Sequence, residues 1–143
     1  MRRKLADEGF GVLAFDYSHY GESEGEPRQV ESPAEKLSDL MAAVSYLTDL
    51  PYVQAVTMVG ICTSAGLTAY LAADDDRIKV VATVAAFLPD PSLFGLIYGE
   101  AGIARRREEA AAAKLKYEET GEETIIPAYS EVDRSAVNFG PAG

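Results

Sequence analysis

The chain has 143 residues, of which 48% are hydrophobic and 25% charged, enough for one hydrophobic core and too few for two ordinary domains. Thirteen basic residues against twenty-three acidic ones give a net charge of −10, which repels phosphate backbones and anionic membrane surfaces and argues against nucleic acid or lipid as a partner. A single cysteine, Cys62, and a single histidine, His19, exclude an internal disulfide and a metal cage of several Cys and His ligands. We expect no metal and no cofactor.

The sequence lacks the apolar length that a membrane helix needs. Its longest apolar run, Val80 to Leu88, has nine residues, whereas a spanning helix needs roughly 18 or more. The first residues are charged, as in a signal peptide, but Asp7, Glu8 and Gly9 stand where the apolar stretch of such a peptide would follow. Together with the single cysteine, this pattern predicts a cytoplasmic protein.

The first third of the chain predicts a short helix, a strand and a longer helix. Arg2 to Glu8 has room for one or two helical turns, and the apolar run Val12 to Phe15 between glycine and polar residues predicts a buried strand. After a loop rich in Gly, Pro and Glu, Ser32-Pro33-Ala34-Glu35 offers a capping hydroxyl and a proline at the first helical position. The helix that follows carries one apolar stripe at helical spacing: Leu37, Leu40, Met41, Val44 and Leu47.

Two further strands with a helix between them are predicted next. Val53 to Ile61 is apolar on both faces, as a central parallel strand is. Ser64 to Ala73 is small on one side and apolar on the other, which predicts a helix packed closely on the sheet and ended by the acidic residues that follow. Ile78 to Leu88 predicts a third buried strand.

This alternation predicts the α/β class, with three parallel strands, flanking helices and right-handed crossovers. Beyond Pro91 the composition changes, and Ile103 to Glu118 is a strong helix former. We therefore expect residues 1–89 to be the central part of a sheet domain, and residues 90–143 to be a helical excursion or cap-like segment without further strands or a closing element. Three strands leave an open sheet edge.

The stretch Val59 to Gly66 lies where a buried strand is predicted to turn into a helix. Gly60 and Ser64 flank Cys62 with little side-chain volume, as a strained strand-to-helix turn requires if the central side chain is to stand above the sheet. The unpaired N–H groups of a helix N-terminus favour the thiolate, the form that attacks carbonyl carbon. The N–H of Thr63 would stabilise the developing oxyanion.

Two other interpretations of this stretch stay open. A lone cysteine is most often a small buried hydrophobe. Ser64 is a second-choice nucleophile, with Cys62 and Gly66 as its small flanks, but a glycine two residues before and a small residue two residues after fit Cys62 better.

Phe10 to Gly25, with its D-Y-S-H-Y-G-E-S run, resembles the strand and following loop of α/β-hydrolases, and with G-I-C-T-S-A-G it resembles the dienelactone-hydrolase-like branch. Some bacterial members insert a helical excursion, and three later segments of this chain resemble it: Asp90 to Leu93, Tyr98-Gly99 and Tyr117 to Tyr129. The resemblance implies an α/β-hydrolase fold of which this chain is the middle, and a cysteine nucleophile.

The function implied is acyl transfer to water on a small-molecule ester, lactone or related carbonyl substrate, with Cys62 as nucleophile. Such hydrolases carry their acid and histidine after the nucleophile, and no histidine follows Cys62. We therefore expect little or no turnover from these residues alone. The alternative is a non-catalytic remnant or an association module that completes its open sheet edge with another chain, for instance as a homo-oligomer.

The remaining charged residues are assigned structural roles. His19 is expected to be a surface histidine of the loop, and Asp16 a carboxylate that anchors this loop. Asp74 to Asp76 point in different directions at a helix end and are expected to face water rather than a cation. Arg105 to Arg107 are expected to form helix-surface pairs with Glu108 and Glu109.

Overall fold

A computed structural model describes residues 2–88, 90–133 and 135–140, and the chain divides into two compact units, 1–89 and 90–143. The first unit is built from three helices and a parallel pair of strands, which confirms the α/β class. In chain order its elements are α1 (Arg2–Asp7), α2 (Pro33–Thr48), β1 (Val56–Ile61), α3 (Thr63–Asp74) and β2 (Ile78–Val84).

Helix α2 begins at the predicted capping sequence. The Ser32 hydroxyl accepts a hydrogen bond from the backbone N–H of Glu35 at 3.3 Å, and Pro33 occupies the first helical position. A side-chain cap of this kind satisfies one of the N–H groups that a helix start leaves without a partner. The predicted helix start is therefore confirmed.

The sheet and its helices form one core. β1 and β2 run parallel, with Val59 opposite Ala82 and Ile61 opposite Val84. Helices α2 and α3 contribute their apolar stripes to the cluster that packs with the two strands. Its buried members are Leu40, Val44, Val56, Leu71 and Ile78.

The two faces of the β1–β2 pair differ in how much of their surface is exposed. Val56 and Gly60 of β1 are buried, whereas the alternate residues of that strand are exposed. On the same open face Val80 and Val84 of β2 expose 55% and 53% of their surface. Because strand side chains alternate between faces, one face packs on α2 and α3, and the described elements of the first unit leave the other face exposed.

The prediction of three strands is wrong in number. Val12 to Phe15 has no ladder partner among the described residues and forms no strand. A strand is formed by backbone hydrogen bonds to a neighbouring strand. An apolar run in the sequence does not by itself provide that neighbour. Leu13 and Phe15 instead line an open cavity beside Ala42 and Ala43 of α2.

The second unit is dominated by one kinked helix, α4 (Pro91–Thr120), which begins at the Asp90 cap and bends at Gly99, where φ is +64°. The chain then forms a short parallel pair, β3 (Tyr129–Ser130) and β4 (Asn138–Phe139). The expectation that no strand follows the helix is therefore wrong, because backbone pairing this short leaves no apolar pattern in the sequence.

The three arginines of α4 do not share one environment. Arg105 lies 3.8 Å from Glu109, the predicted surface pair. Arg106 instead lies over the Tyr98 ring and donates to the Ala136 carbonyl at 3.3 Å, so the surface assignment is wrong for this residue. Its planar guanidinium suits both contacts. None of the described helices combines the length and apolar character needed to cross a membrane.

An ion pair closes the turn between α3 and β2. Arg77 donates through Nε and Nη2 to the carboxylate of Asp75, with Nη2 at 2.6 Å, and through Nη1 to the Ser45 hydroxyl of α2 at 2.9 Å. These hydrogen bonds from Arg77 lower the pKa of Asp75 to about 2. The carboxylate of Asp75 thus stabilises this turn through its hydrogen bonds with Arg77, and the expectation that it faces water is wrong for this residue.

We expect Asp75→Asn to lower the melting temperature at neutral pH, where the folded chain holds the carboxylate ionised. A pKa lower in the folded than in the unfolded chain stabilises the fold above the unfolded value, and that contribution is lost as pH falls through about 4 towards about 2. Thermal unfolding at several pH values measures it. The neighbouring, exposed Asp76→Asn is the control, and a gap between wild type and Asp75→Asn that persists at about pH 2 would contradict the assignment.

Candidate active site

Cys62 is the only residue between β1 and α3, so the chain must change direction at this one position. Its backbone has φ +56° and ψ −122°, outside the ordinary strand and helix regions. For a residue with a Cβ such a conformation costs on the order of 1–3 kcal/mol and must be held by its surroundings. The thiol itself is exposed.

Backbone hydrogen bonds hold this strained residue from both sides. The Cys62 N–H donates to the carbonyl of Val84 in β2 at 3.0 Å, and its carbonyl accepts from the N–H groups of Ala65 and Phe87, both at 3.1 Å. The parallel register and the first turn of α3 therefore fix the Cys62 backbone while its side chain stays accessible.

Two glycines permit the close packing around the turn. A Cβ on Gly60 would lie 2.5 Å from the Ala65 Cα and 2.8 Å from the Ala65 nitrogen, because α3 starts directly above β1. A Cβ on Gly66 would lie 2.8 Å from the Phe87 carbonyl oxygen. Both contacts are with backbone atoms, which cannot rotate away as a side chain can. The close packing around the turn therefore requires glycine at positions 60 and 66.

Thr63 is the first residue of α3, and Cys62 in the capping position makes no side-chain cap. N–H groups of a first helical turn have no acceptor within the helix and carry partial positive charge. The Thr63 hydroxyl lies 3.9 Å from the Cys62 sulfur. The predicted oxyanion donor is thus adjacent to the thiol, at the helix end where an anion is stabilised.

Ser64, the second residue of α3, is less exposed than Cys62. Its carbonyl accepts a hydrogen bond from the Thr68 hydroxyl at 2.7 Å. The second-choice nucleophile is thus half-buried, whereas Cys62 is exposed.

The loop after residue 15 is tied together by Asp16, as predicted. Its carboxylate accepts from the N–H of Glu22 at 3.0 Å, and its carbonyl accepts from the Ser23 hydroxyl at 2.7 Å. A Cβ on Gly21, which has φ +52°, would overlap this carboxylate. The anchoring role of Asp16 is confirmed.

His19 is not the surface residue that was expected. Its side chain is only 12% exposed, with Nδ1 2.8 Å from the Pro27 carbonyl oxygen and Nε2 3.2 Å from the Glu35 carboxylate. A Cβ on Gly25 would come within 2.9 Å of Nδ1. Sequence reasoning missed this burial because the covering residues are brought together only by the folded loop and α2. Nδ1 thus holds the ring within the loop, and Nε2 holds it against the first turn of α2.

Sequence reasoning also missed the pair formed by Ser18 and Asp39. The backbone N–H and the hydroxyl of Ser18 donate to the two carboxylate oxygens of Asp39, at 2.8 and 2.9 Å. This double contact fastens the residue after Tyr17 to α2. The polar D-Y-S-H-Y run after an apolar run was the available signal, but the partner lies 21 residues away in the chain. Among the described residues no cluster of three acidic, His or Cys side chains could hold a metal ion.

Known proteins resemble this chain in sequence and fold. It is 30% identical over 134 residues to the thiohydrolase aneE of Aspergillus aculeatus, covering 92% of this chain and 42% of that protein. The crystal structure of PA2218 from Pseudomonas aeruginosa is similar with TM-score 0.72 and 31% identity, over 87% of this chain and 40% of that one. The α/β hydrolase GrgF from Penicillium is similar with TM-score 0.58 and 24% identity, over 81% and 39%.

These comparisons define the architecture. The fold is a partial α/β-hydrolase fold. No protein-family model matches the chain. Curated relatives with 30% to 48% identity are longer, and the chain spans 28% to 42% of their length.

We expect Gly60→Ala to destabilise the chain by about 1–3 kcal/mol, the usual cost of forcing extra volume into a tight contact. The added methyl group would meet the Ala65 backbone, which α3 cannot move without leaving the sheet. Urea denaturation followed by circular dichroism measures the effect. Gly11→Ala is the matched control, because a Cβ there meets nothing within 4 Å. Equal stability of the two variants would contradict the close crossing.

Replacing Cys62 by glycine or by alanine tests the strain at the turn. Gly is ordinarily about 0.5–1 kcal/mol worse than Ala in regular structure. At φ +56° and ψ −122° we expect the reverse order, with Cys62→Gly unfolding at higher urea concentration than Cys62→Ala, because glycine adopts this conformation without steric cost. Ala72→Gly, within α3, should show the ordinary order, with the glycine variant unfolding at lower urea concentration than the wild-type chain. A more stable Cys62→Ala would refute the strained geometry.

Proposed function

We propose that this chain is part of a hydrolase that transfers an acyl group to water from a small-molecule ester, lactone or related carbonyl compound, with Cys62 as the nucleophile. The observation that carries the proposal is the exposed thiol at a positive-φ turn directly before α3. A side chain held in this way at the end of a strand is a nucleophile elbow in α/β-hydrolases. The similarity to a thiohydrolase and to an α/β-hydrolase fold supports it.

The mechanism follows from the positions of Cys62 and Thr63. The Cys62 thiolate attacks the carbonyl carbon, the carbon–oxygen double bond opens, and the negative charge on oxygen is stabilised by the Thr63 N–H at the start of α3. When the carbonyl re-forms, the leaving group departs with the bonding electron pair and takes up a proton from solvent. The acyl group is then a thioester on Cys62, and water must attack it to release the acid.

No histidine is free to act as the base in the second half of this reaction. His19 is the only histidine of the sequence, and both of its ring nitrogens are engaged by Pro27 and Glu35. Activation of water requires a group within hydrogen-bond reach of it. We therefore propose that this chain is acylated faster than it is deacylated. The G-I-C-T-S-A-G turn supports a dienelactone-hydrolase-like member as the finer assignment, and the single cysteine supports a cytoplasmic location.

Acylation by p-nitrophenyl acetate tests the proposal. We expect a burst of about one nitrophenolate per chain followed by little further release, with the acetyl group on Cys62, because a thioester without a base hydrolyses slowly. Stopped-flow absorbance and peptide mass spectrometry measure the two quantities. The burst should vanish in Cys62→Ala, and the same thiol in the urea-unfolded chain is the control for intrinsic reactivity.

Three results would reject the nucleophile: a burst that persists in Cys62→Ala, acetyl groups found only on other residues, or equal burst rates in the folded and unfolded chain. The second candidate function, an association module, is favoured by the uncovered face that exposes Val80 and Val84. Concentration-dependent dimerisation in sedimentation velocity, combined with an unreactive Cys62, would support that candidate.

A further inference from the structure

His19, the single histidine of the chain, connects the loop of residues 16–31 to the first turn of α2. Its largely buried ring has Nδ1 2.8 Å from the Pro27 carbonyl oxygen and Nε2 3.2 Å from a carboxylate oxygen of Glu35. Each ring nitrogen therefore faces an oxygen atom. Imidazole is the side chain whose charge ordinarily changes between about pH 5 and 8, so the protonation state of this ring decides which contacts it can make.

Both of these oxygen atoms are hydrogen-bond acceptors. A peptide carbonyl can only accept, so the bond to Pro27 requires a proton on Nδ1. An ionised carboxylate also only accepts, so the contact with Glu35 requires a second proton, on Nε2. A neutral imidazole has one N–H donor and one acceptor nitrogen. Only the imidazolium ion can therefore make both contacts, and a neutral ring bonded to Pro27 turns the lone pair of Nε2 towards the Glu35 carboxylate.

The surroundings of the ring are acidic. A cavity of about 330 Å³ beside it is lined by the carboxylate residues Glu24, Glu35 and Asp39. The cations of the loop and of this part of α2, Arg28 and Lys36, do not line that cavity. Arg28 donates to three carbonyl oxygens of the loop, and Lys36 donates to a carboxylate at the end of the loop. A positive charge on the ring thus meets opposite charges across the cavity.

Two further attachments of the loop to α2 do not involve the ring. At the start of the loop, Ser18 donates from its backbone N–H and its hydroxyl to the Asp39 carboxylate. At the end of the loop, the Lys36 ammonium lies 2.6 Å from the Glu31 carboxylate. Carboxylate and ammonium groups ordinarily keep their charges between about pH 5 and 8. The contact between His19 and α2 is therefore the pH-sensitive one of these three attachments.

We propose that His19 is a pH-sensitive latch, in which the imidazolium ion holds the loop to Glu35 and loss of the Nε2 proton to solvent releases that contact. Nδ1 keeps its bond to Pro27 in both states. The attachments at Ser18 and Glu31 also remain, so the release loosens the middle of the loop without detaching its ends. Rising pH thus opens the cavity between the loop and α2. This device belongs to the fold of the first unit and does not require the proposed reaction of Cys62.

Nuclear magnetic resonance of the ring nitrogens tests the protonation states directly, because a chain with one histidine gives one pair of ring signals. At about pH 5 we expect both nitrogens to carry a proton. At about pH 8 the neutral ring should carry its proton on Nδ1, the nitrogen that bonds Pro27. A neutral ring with its proton on Nε2 would overturn the proposal, because Nδ1 could not then donate to the carbonyl oxygen.

Amide hydrogen exchange measures whether the loop responds to this proton. The N–H of His19 is bonded to the Glu24 carbonyl, and the N–H of Gln29 to the His19 carbonyl, both at 2.8 Å. After correction for the intrinsic pH dependence of exchange, we expect the protection of these two amides to fall about threefold between about pH 5 and 8. Protection of the Cys62 amide, which bonds to the Val84 carbonyl, should stay constant.

Two variants separate the latch from a general effect of charge. In Glu35→Gln the side-chain amide can donate to a neutral Nε2 and accept from a protonated one, so the protection of the loop should no longer change with pH. Glu22→Gln removes a carboxylate at an exposed position of the same loop, outside the cavity, and should keep the wild-type pH dependence. Circular dichroism verifies the fold of both variants.

The results that would overturn the latch are specific. Protection of the His19 and Gln29 amides that does not change with pH in the wild-type chain would do so. An unchanged pH dependence in Glu35→Gln, or equal changes in Glu35→Gln and Glu22→Gln, would also do so. The measurement on the ring nitrogens uses the wild-type chain, so it decides the proposal even where Glu35→Gln does not fold.

Discussion

The close crossing of α3 over β1 is the constraint on which the rest of the first unit depends. Any Cβ at Gly60 would lie 2.5 Å from the Ala65 Cα, so the strand and the helix touch backbone to backbone. A single residue, Cys62, joins them. Its positive φ is therefore a consequence of the packing above it rather than a local preference of cysteine.

A strained residue persists only where its surroundings over-determine it, and the parallel strand pair does this at Cys62. Ile61 lies opposite Val84 in the register, which brings the Val84 carbonyl to the Cys62 N–H. The chain after β2 then turns at Ala85, where φ is +48°, so that the Phe87 N–H reaches the Cys62 carbonyl. This turn also explains why β2 ends at Val84 and not at the predicted Leu88. The strand pair thus supports the fold and holds the thiol.

Local patterns predicted the elements whose causes are local. The Ser32 cap, the strand-to-helix change at Cys62 and the anchoring role of Asp16 each depend on residues close together in sequence. The same patterns failed for Val12 to Phe15, because a strand needs a partner that no local pattern supplies. They also missed the burial of His19, which is created by Pro27 and Glu35 together. Long-range contacts of this kind are invisible to periodicity.

The loop and the thiol turn are connected through the same core. Glu35 and Asp39 of α2 hold His19 and Ser18, while Tyr17 packs against the hydrophobic core cluster. Because α2 and α3 pack in one cluster with the strands, these attachments are not independent, and a displacement of the loop at α2 would be felt at the first turn of α3. A motif read along the chain names the thiol and its neighbouring N–H. What holds the backbone of that thiol is its hydrogen bonds to Val84 and Phe87 after the pairing of the two strands, and that is a property of the packed core.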